Sequence, residues 1–231
     1  MPLAQTGTLC QTKLMHLEDE LWPRAANWLQ PGAGPCDIAV FGVPAHLTSI
    51  SPSQANQTPQ AIRAALTRYS LNSVNGDLGK LKALDFGDVV EPDSPDGESR
   101  TRELTENAVA QSKLAIALGG DNSITFAVAT GALKATDAVI TLDAHHDIRN
   151  GISNGSPVRR LIEEFGLSGK NIIQIGINDF SNSPEYSRKA KDYGITVISR
   201  NEIAAFGVES AVAKALDSIQ AARIHIDFDV D

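Results

Sequence analysis

Three potential metal ligands stand at alternate positions in Asp143-Ala144-His145-His146-Asp147, directly after the apolar run Ala138 to Leu142. In an extended chain, side chains two residues apart share a face. The spacing therefore predicts that Asp143, His145 and Asp147 converge while His146 faces away. A second acidic comb ends the sequence, Asp227-Phe228-Asp229-Val230-Asp231, again at strict alternation with apolar residues between. Carboxylates crowded on one face of a buried strand repel one another and are costly to desolvate unless a cation neutralises them. Two such strands in one chain predict a shared cation site. Oxygen-rich ligation with an imidazole favours Mn2+, with Mg2+ or Fe2+ as alternatives, over a thiolate-seeking ion. Four carboxylates would neutralise two divalent cations.

Each motif also has a plainer reading. Asp-x-His alone often marks a solvated loop or a strand-end hydrogen bond. Gly119 and Gly120 suit a tight strand-to-helix turn whatever the function, and their run lacks the Gly-x-Gly-x-x-Gly of a dinucleotide site. His46 reads as a surface or hydrogen-bonded loop residue. His225 is expected to face opposite Asp229 and to pack. Arg149 and Asn150 follow the ligand motif, where they either reach a substrate carboxylate or lie in a solvated loop. Asn178 and Asp179, after a later strand, are weaker candidates for lining a pocket.

The elements that must position these residues alternate between strand-length apolar runs and amphipathic stretches, the signature of βαβ units and a parallel sheet. Strands are predicted at 37–43, 84–89, 114–118, 138–142, 171–177, 195–198 and 223–230. Helices are predicted at 59–69 with Thr58 as N-cap, at 123–133, at 157–165 and at 208–220. The Pro-, Asp-, Ser- and Gly-rich stretch 91–100 reads as an exposed loop. In open α/β sheets ligands gather beyond the carboxyl ends of the strands, and every candidate ligand falls there.

At 231 residues with 42% hydrophobic content, residues 1–231 can bury the core of a single α/β domain. A net charge of −8 argues against nucleic acid, whose phosphates call for clustered Lys and Arg. Cys10 and Cys36 are too few for a disulfide framework. With no signal-like start and no run of roughly 18 apolar residues to span a bilayer, a soluble, cytoplasmic protein without membrane contact is expected.

Leu118-Gly119-Gly120-Asp121-Asn122-Ser123, then Asp143-Ala144-His145-His146-Asp147, then the terminal Asp-x-Asp resemble, in order, the signature of the ureohydrolase family of arginases, agmatinases and formimidoylglutamases. Gly42-Val43-Pro44, Thr58 to Arg63 and Asp85-Phe86-Gly87-Asp88 extend the resemblance, which covers 37–231. It implies a three-layer arginase-like α/β fold, with a mainly parallel central sheet flanked by helices and part of the usual C-terminal region missing. It also implies hydrolysis of a C–N bond in a linear amidine or guanidine by water activated at Mn2+, two ions per chain or one. Asp143 and Asp229 would bridge the ions, Asp147 and Asn122 complete one site and His145 and Asp231 the other, with Asp227 in reserve should the register lie one pair earlier. Asn122 stands where the family normally has His, and Asn154 in Asn154-Gly155-Ser156-Pro157 stands where it has a catalytic His. Asp147 and Asn154 are thus the candidates for catalysis, and Arg149, Asn150 and Asn154 for substrate binding. The formimidoylglutamate-hydrolysing branch fits these departures better than ordinary arginases, and a homotrimer or hexamer is implied. The rival expectation is a non-catalytic arginase-fold protein with a regulatory or assembly role.

Overall fold

The computed structural model describes residues 19–230, so Cys10 and Asp231 lie outside the described residues. Seven principal strands run β1 (Ile38–Val43), β2 (Ala83–Asp88), β3 (Leu114–Gly119), β4 (Ala138–Leu142), β5 (Ile172–Ile177), β6 (Thr196–Ser199) and β7 (Ile224–Phe228). Seven principal helices alternate with them: α1 (Thr58–Ala65), α2 (Gly97–Gln111), α3 (Ile124–Ala132), α4 (Pro157–Glu163), α5 (Pro184–Tyr193), α6 (Arg200–Phe206) and α7 (Val208–Asp217). The strands form two parallel sheets. One has the order Gln30–Pro31, β2, β1, β3, and the other β7, β4, β5, β6.

Strands such as β4 (AVITL) and β5 (IIQIGI) are apolar on both faces because helices cover both. On one side Val139 and Ile172 pack with Phe126 of α3, Leu161 of α4 and Ala190 of α5. On the other, Ile140, Ile173 and Ile198 pack under Ala211 and Ala215 of α7. In the first sheet Ala39, Phe41 and Val43 meet Ala108 of α2 and Val128 of α3. The result is an α/β/α sandwich.

Two expectations change. Thr58 is itself helical, following a short 3-10 turn, and Gln57 precedes the helix without a side-chain cap. Pro59 falls in the first turn, where a missing N–H costs nothing. The stretch 91–100 is not all loop, because α2 starts at Gly97. Its buried side is Gly97, Thr101, Thr105 and Ala108, helical spacing carried by small and hydroxyl residues rather than large apolar ones. Thr101 and Thr105 satisfy their hydroxyls on carbonyls one turn back, at 2.8 Å each.

Candidate metal centre

β4 delivers the site but stops short of it. The strand ends at Leu142, and Asp147 has φ +51°, a left-handed conformation that Asp tolerates better than most residues. Asp143 and Asp147 therefore converge through a turned loop, not along the extended chain expected from the sequence. Polar clamps hold that loop. Asn182 accepts from the His146 N–H (2.9 Å) and donates to the Ala144 carbonyl (2.9 Å). Gln174, fully buried in β5, meets His146 Nδ1 at 2.7 Å and donates to the His146 carbonyl at 3.0 Å. His146 thus points into the core, as its position predicted, and burial pushes its pKa down.

β7 brings the second acidic strand alongside. It pairs in parallel with β4, Asp227 opposite Thr141 and Phe228 opposite Leu142, and the Asp229 N–H continues the ladder to the Leu142 carbonyl at 3.1 Å. One carboxylate oxygen from each of Asp143, Asp147 and Asp229 consequently lies within 4.8 Å of the others. His145 stands beside them, its Nδ1 3.2 Å from Asp143 Oδ1. The period of two puts His225 on the same face as Asp227, not opposite the acidic residues as expected, with Ile224, Ile226 and Phe228 on the other face. His225 is packed, and burial lowers its pKa to about 4.

The electrostatics suit a cation. Asp143 Oδ2 is buried without a hydrogen-bond partner among the described residues, a costly state unless something else meets it. Burial, then the charges of Asp143, Asp229 and Asp227, hold the Asp147 carboxyl well above its ordinary pKa, and burial raises Asp227 to about 6. A polar chain links the two: Asn122 Nδ2 donates to Asp147 Oδ2, and Thr125 Oγ1 lies 2.8 Å from Asn122 Oδ1 and 3.0 Å from Asp227 Oδ2. Thr125 has one proton to share between two acceptors, so a proton on Asp227 lets every member pair. Oxygen donors with one adjacent imidazole match a hard divalent ion, and the residues present fit one.

Beside this cluster a cavity of about 600 Å³ is lined by Asn122, His145, Asp147, Arg149, Asn154 and Asp229, together with Ser49, Asn182 and Tyr186. Asn150 is not among its lining residues; its N–H contacts the Tyr186 hydroxyl at 3.4 Å. Asn154 Oδ1 accepts from the Ile50 N–H at 3.0 Å, tying the loop after β1 to the site. Asp121 ties the same loop to the end of β3, accepting from Ser49 and Ser123. A Cβ on Gly120 would lie 2.2 Å from the Ala45 carbonyl, so only glycine permits this approach. Asp179 is engaged with Asn201 at 2.6 Å, away from the cavity. Asn182, Gln174 and Thr125 were missed from sequence. A Gln inside the Ile-rich β5 was the one available sign.

An α/β/α sandwich with carboxylates from two adjacent parallel strands converging beyond their carboxyl ends defines the class of molecule. The chain belongs to the arginase family, which it matches over residues 36–231. It is 38% identical over 211 residues to the formimidoylglutamase of Halalkalibacterium halodurans, covering 84% of this chain and 66% of that protein. It is 33% identical to the formimidoylglutamase of Bacillus subtilis, covering 84% of this chain and 64% of that one. The chain thus spans just under two thirds of the length of these curated relatives. The crystal structure of the formimidoylglutamase from Bacillus subtilis superposes with a TM-score of 0.85 at 28% identity, over 95% of this chain and 74% of that one. A Trypanosoma cruzi formiminoglutamase with Mn2+ shares the fold with a TM-score of 0.81 at 22% identity, over 90% of this chain and 75% of that one.

Proposed function

We propose that the chain carries the metal-dependent site of a hydrolase acting on a C–N bond of a linear amidine or guanidine, with formimidoylglutamate as the preferred substrate. The observation that carries this reading is the convergence of Asp143, Asp147 and Asp229 around a buried, unpartnered carboxylate oxygen. Asp143 and Asp229 would be shared by two Mn2+ ions, Asp147 with Asn122 nearby would complete one site, and His145 with Asp231 the other. Asp227, bonded to Thr125, stays in reserve. Bound divalent ions supply Lewis acidity that makes water a nucleophile near neutral pH. The protein's own groups do the rest. Arg149 and Asn150 hold the substrate carboxylate, Asn154 fixes the pocket wall through Ile50, and Asp147 Oδ2 takes the proton that water gives up. The similar formimidoylglutamases support the substrate choice. A homo-oligomer in the cytoplasm completes the proposal; no helix among the described residues is long and apolar enough to cross a membrane.

One observation favours a second reading. Asn122 and Asn154 spend their side chains on Asp147, Thr125 and Ile50, and neither amide can shuttle a proton. A chain that binds the ion without turnover, in a regulatory or assembly role, would look the same. Incubating the Mn2+-loaded protein with formimidoylglutamate, agmatine, arginine and guanidino acids separates the two. Release of formamide, ammonia or urea, abolished by Asp143→Asn, supports the enzyme; ion binding with no product from any substrate supports the second reading.

A further inference from the structure

The two sheets end in β3 and β7, and among the described residues no strand pairs with the outward edge of either. A cavity of about 770 Å³ separates them, lined along both strands from Leu114 and Ile224 to Gly119 and Asp229. Helix α3 fixes their relative direction. Thr125 at its start reaches Asp227 near the end of β7, while Arg223, just before β7, reaches the Ala132 carbonyl at the other end of α3 (3.4 Å). β3 leads into α3 and runs back against it, so β3 and β7 are parallel. The slot is thus bounded by two co-directional rows of unpaired backbone groups, the kind of edge that recruits another strand.

The side chains tell which side is open. Ala115 and Ala117 pack toward α2 and α3, and Asp227 also faces α3. Leu114, Ile116, Ile226 and Phe228 therefore project from the opposite side, where Leu114 is 53% and Phe228 66% exposed. Large apolar groups clustered in water mark an unfilled interface. Within the slot, His225 Nε2 is buried with no hydrogen-bond partner among the described residues.

We propose that the slot between β3 and β7 seats one further β-strand, parallel to both, carried by a polypeptide segment whose helix covers Leu114, Ile116, Ile226 and Phe228. Parallel neighbours cannot be joined by a tight turn and need a crossover of about a dozen residues, usually a helix. The face away from α3 is the one with room for it. A second copy of the chain is a poor occupant, since its own edge strands are each already bonded to a sheet on one side and could meet only one lip. The curated relatives are longer than the matched span by about a third, more than enough for one helix and one strand.

The test appends to Asp231 the segment that follows the matched region in the Halalkalibacterium halodurans formimidoylglutamase, and compares fusion with unfused chain by hydrogen–deuterium exchange. It needs neither metal nor turnover, so its outcome is independent of the hydrolase reading. Amides of 114–119 and 224–228 should exchange at least about tenfold more slowly in the fusion, and binding of an apolar dye should fall. Unchanged exchange, a fusion that does not fold, or an unfused chain already protected there by self-association would overturn the proposal.

Discussion

Asp147 concentrates the strain of the site in one residue: a left-handed backbone, a buried carboxyl and three acidic neighbours. Asn accepts the same backbone more readily and carries no charge. Asp147→Asn should therefore raise the melting temperature of the chelator-treated protein by several degrees, at about 2–4 °C per kcal/mol for this size, and should abolish any further rise on adding Mn2+. Thermal scans with and without the ion check both halves. Asn122→His places a nitrogen where an amide now only braces Asp147, and should tighten Mn2+ binding by about 10- to 100-fold. An unchanged titration would place Asn122 outside the coordination sphere. The acidic residues were legible because their types and spacing betray them. Thr125, Gln174 and Asn182 were not, because what makes them matter is a partner 28 to 102 residues away in sequence.

Among the elements, the apolar strands declared themselves, since a parallel sheet covered on both faces needs continuous hydrophobic runs. α2 did not. It packs through Gly97, Thr101, Thr105 and Ala108, and a Cβ on Gly131 of α3 would lie 2.7 Å from the Arg102 carbonyl of α2. Close helix contact made with small residues leaves no apolar stripe to read. The same scale holds a pH prediction. Glu163 of α4 accepts from the Tyr193 hydroxyl of α5, from Arg159 at 2.8 Å, and pairs with Lys189 at 3.2 Å, which lowers its pKa to about 2. A depressed native pKa gives stability that is complete above the unfolded value of 4.5 and is lost as pH falls toward 2. The melting-temperature gap between wild type and Glu163→Gln should close over that range. It should also be small and shrink with salt, because the Glu163 side chain is 40% exposed.

At the scale of the molecule, the sequence conveyed the sandwich and the side of the sheet on which the site lies, since both follow from the order of strands and helices. It did not convey that β3 and β7 face each other across a slot, which depends on how α3 packs between them. The account as a whole depends on one claim, that Asp143, Asp147 and Asp229 tolerate one another because a divalent ion sits among them. The direct measurement is equilibrium dialysis against Mn2+ after chelation, for wild type and for Asp143→Asn, with circular dichroism confirming that both are folded. The account predicts two tightly held Mn2+ per wild-type chain and none in the variant. Wild type that retains no Mn2+, or a variant that binds it equally well, would contradict it.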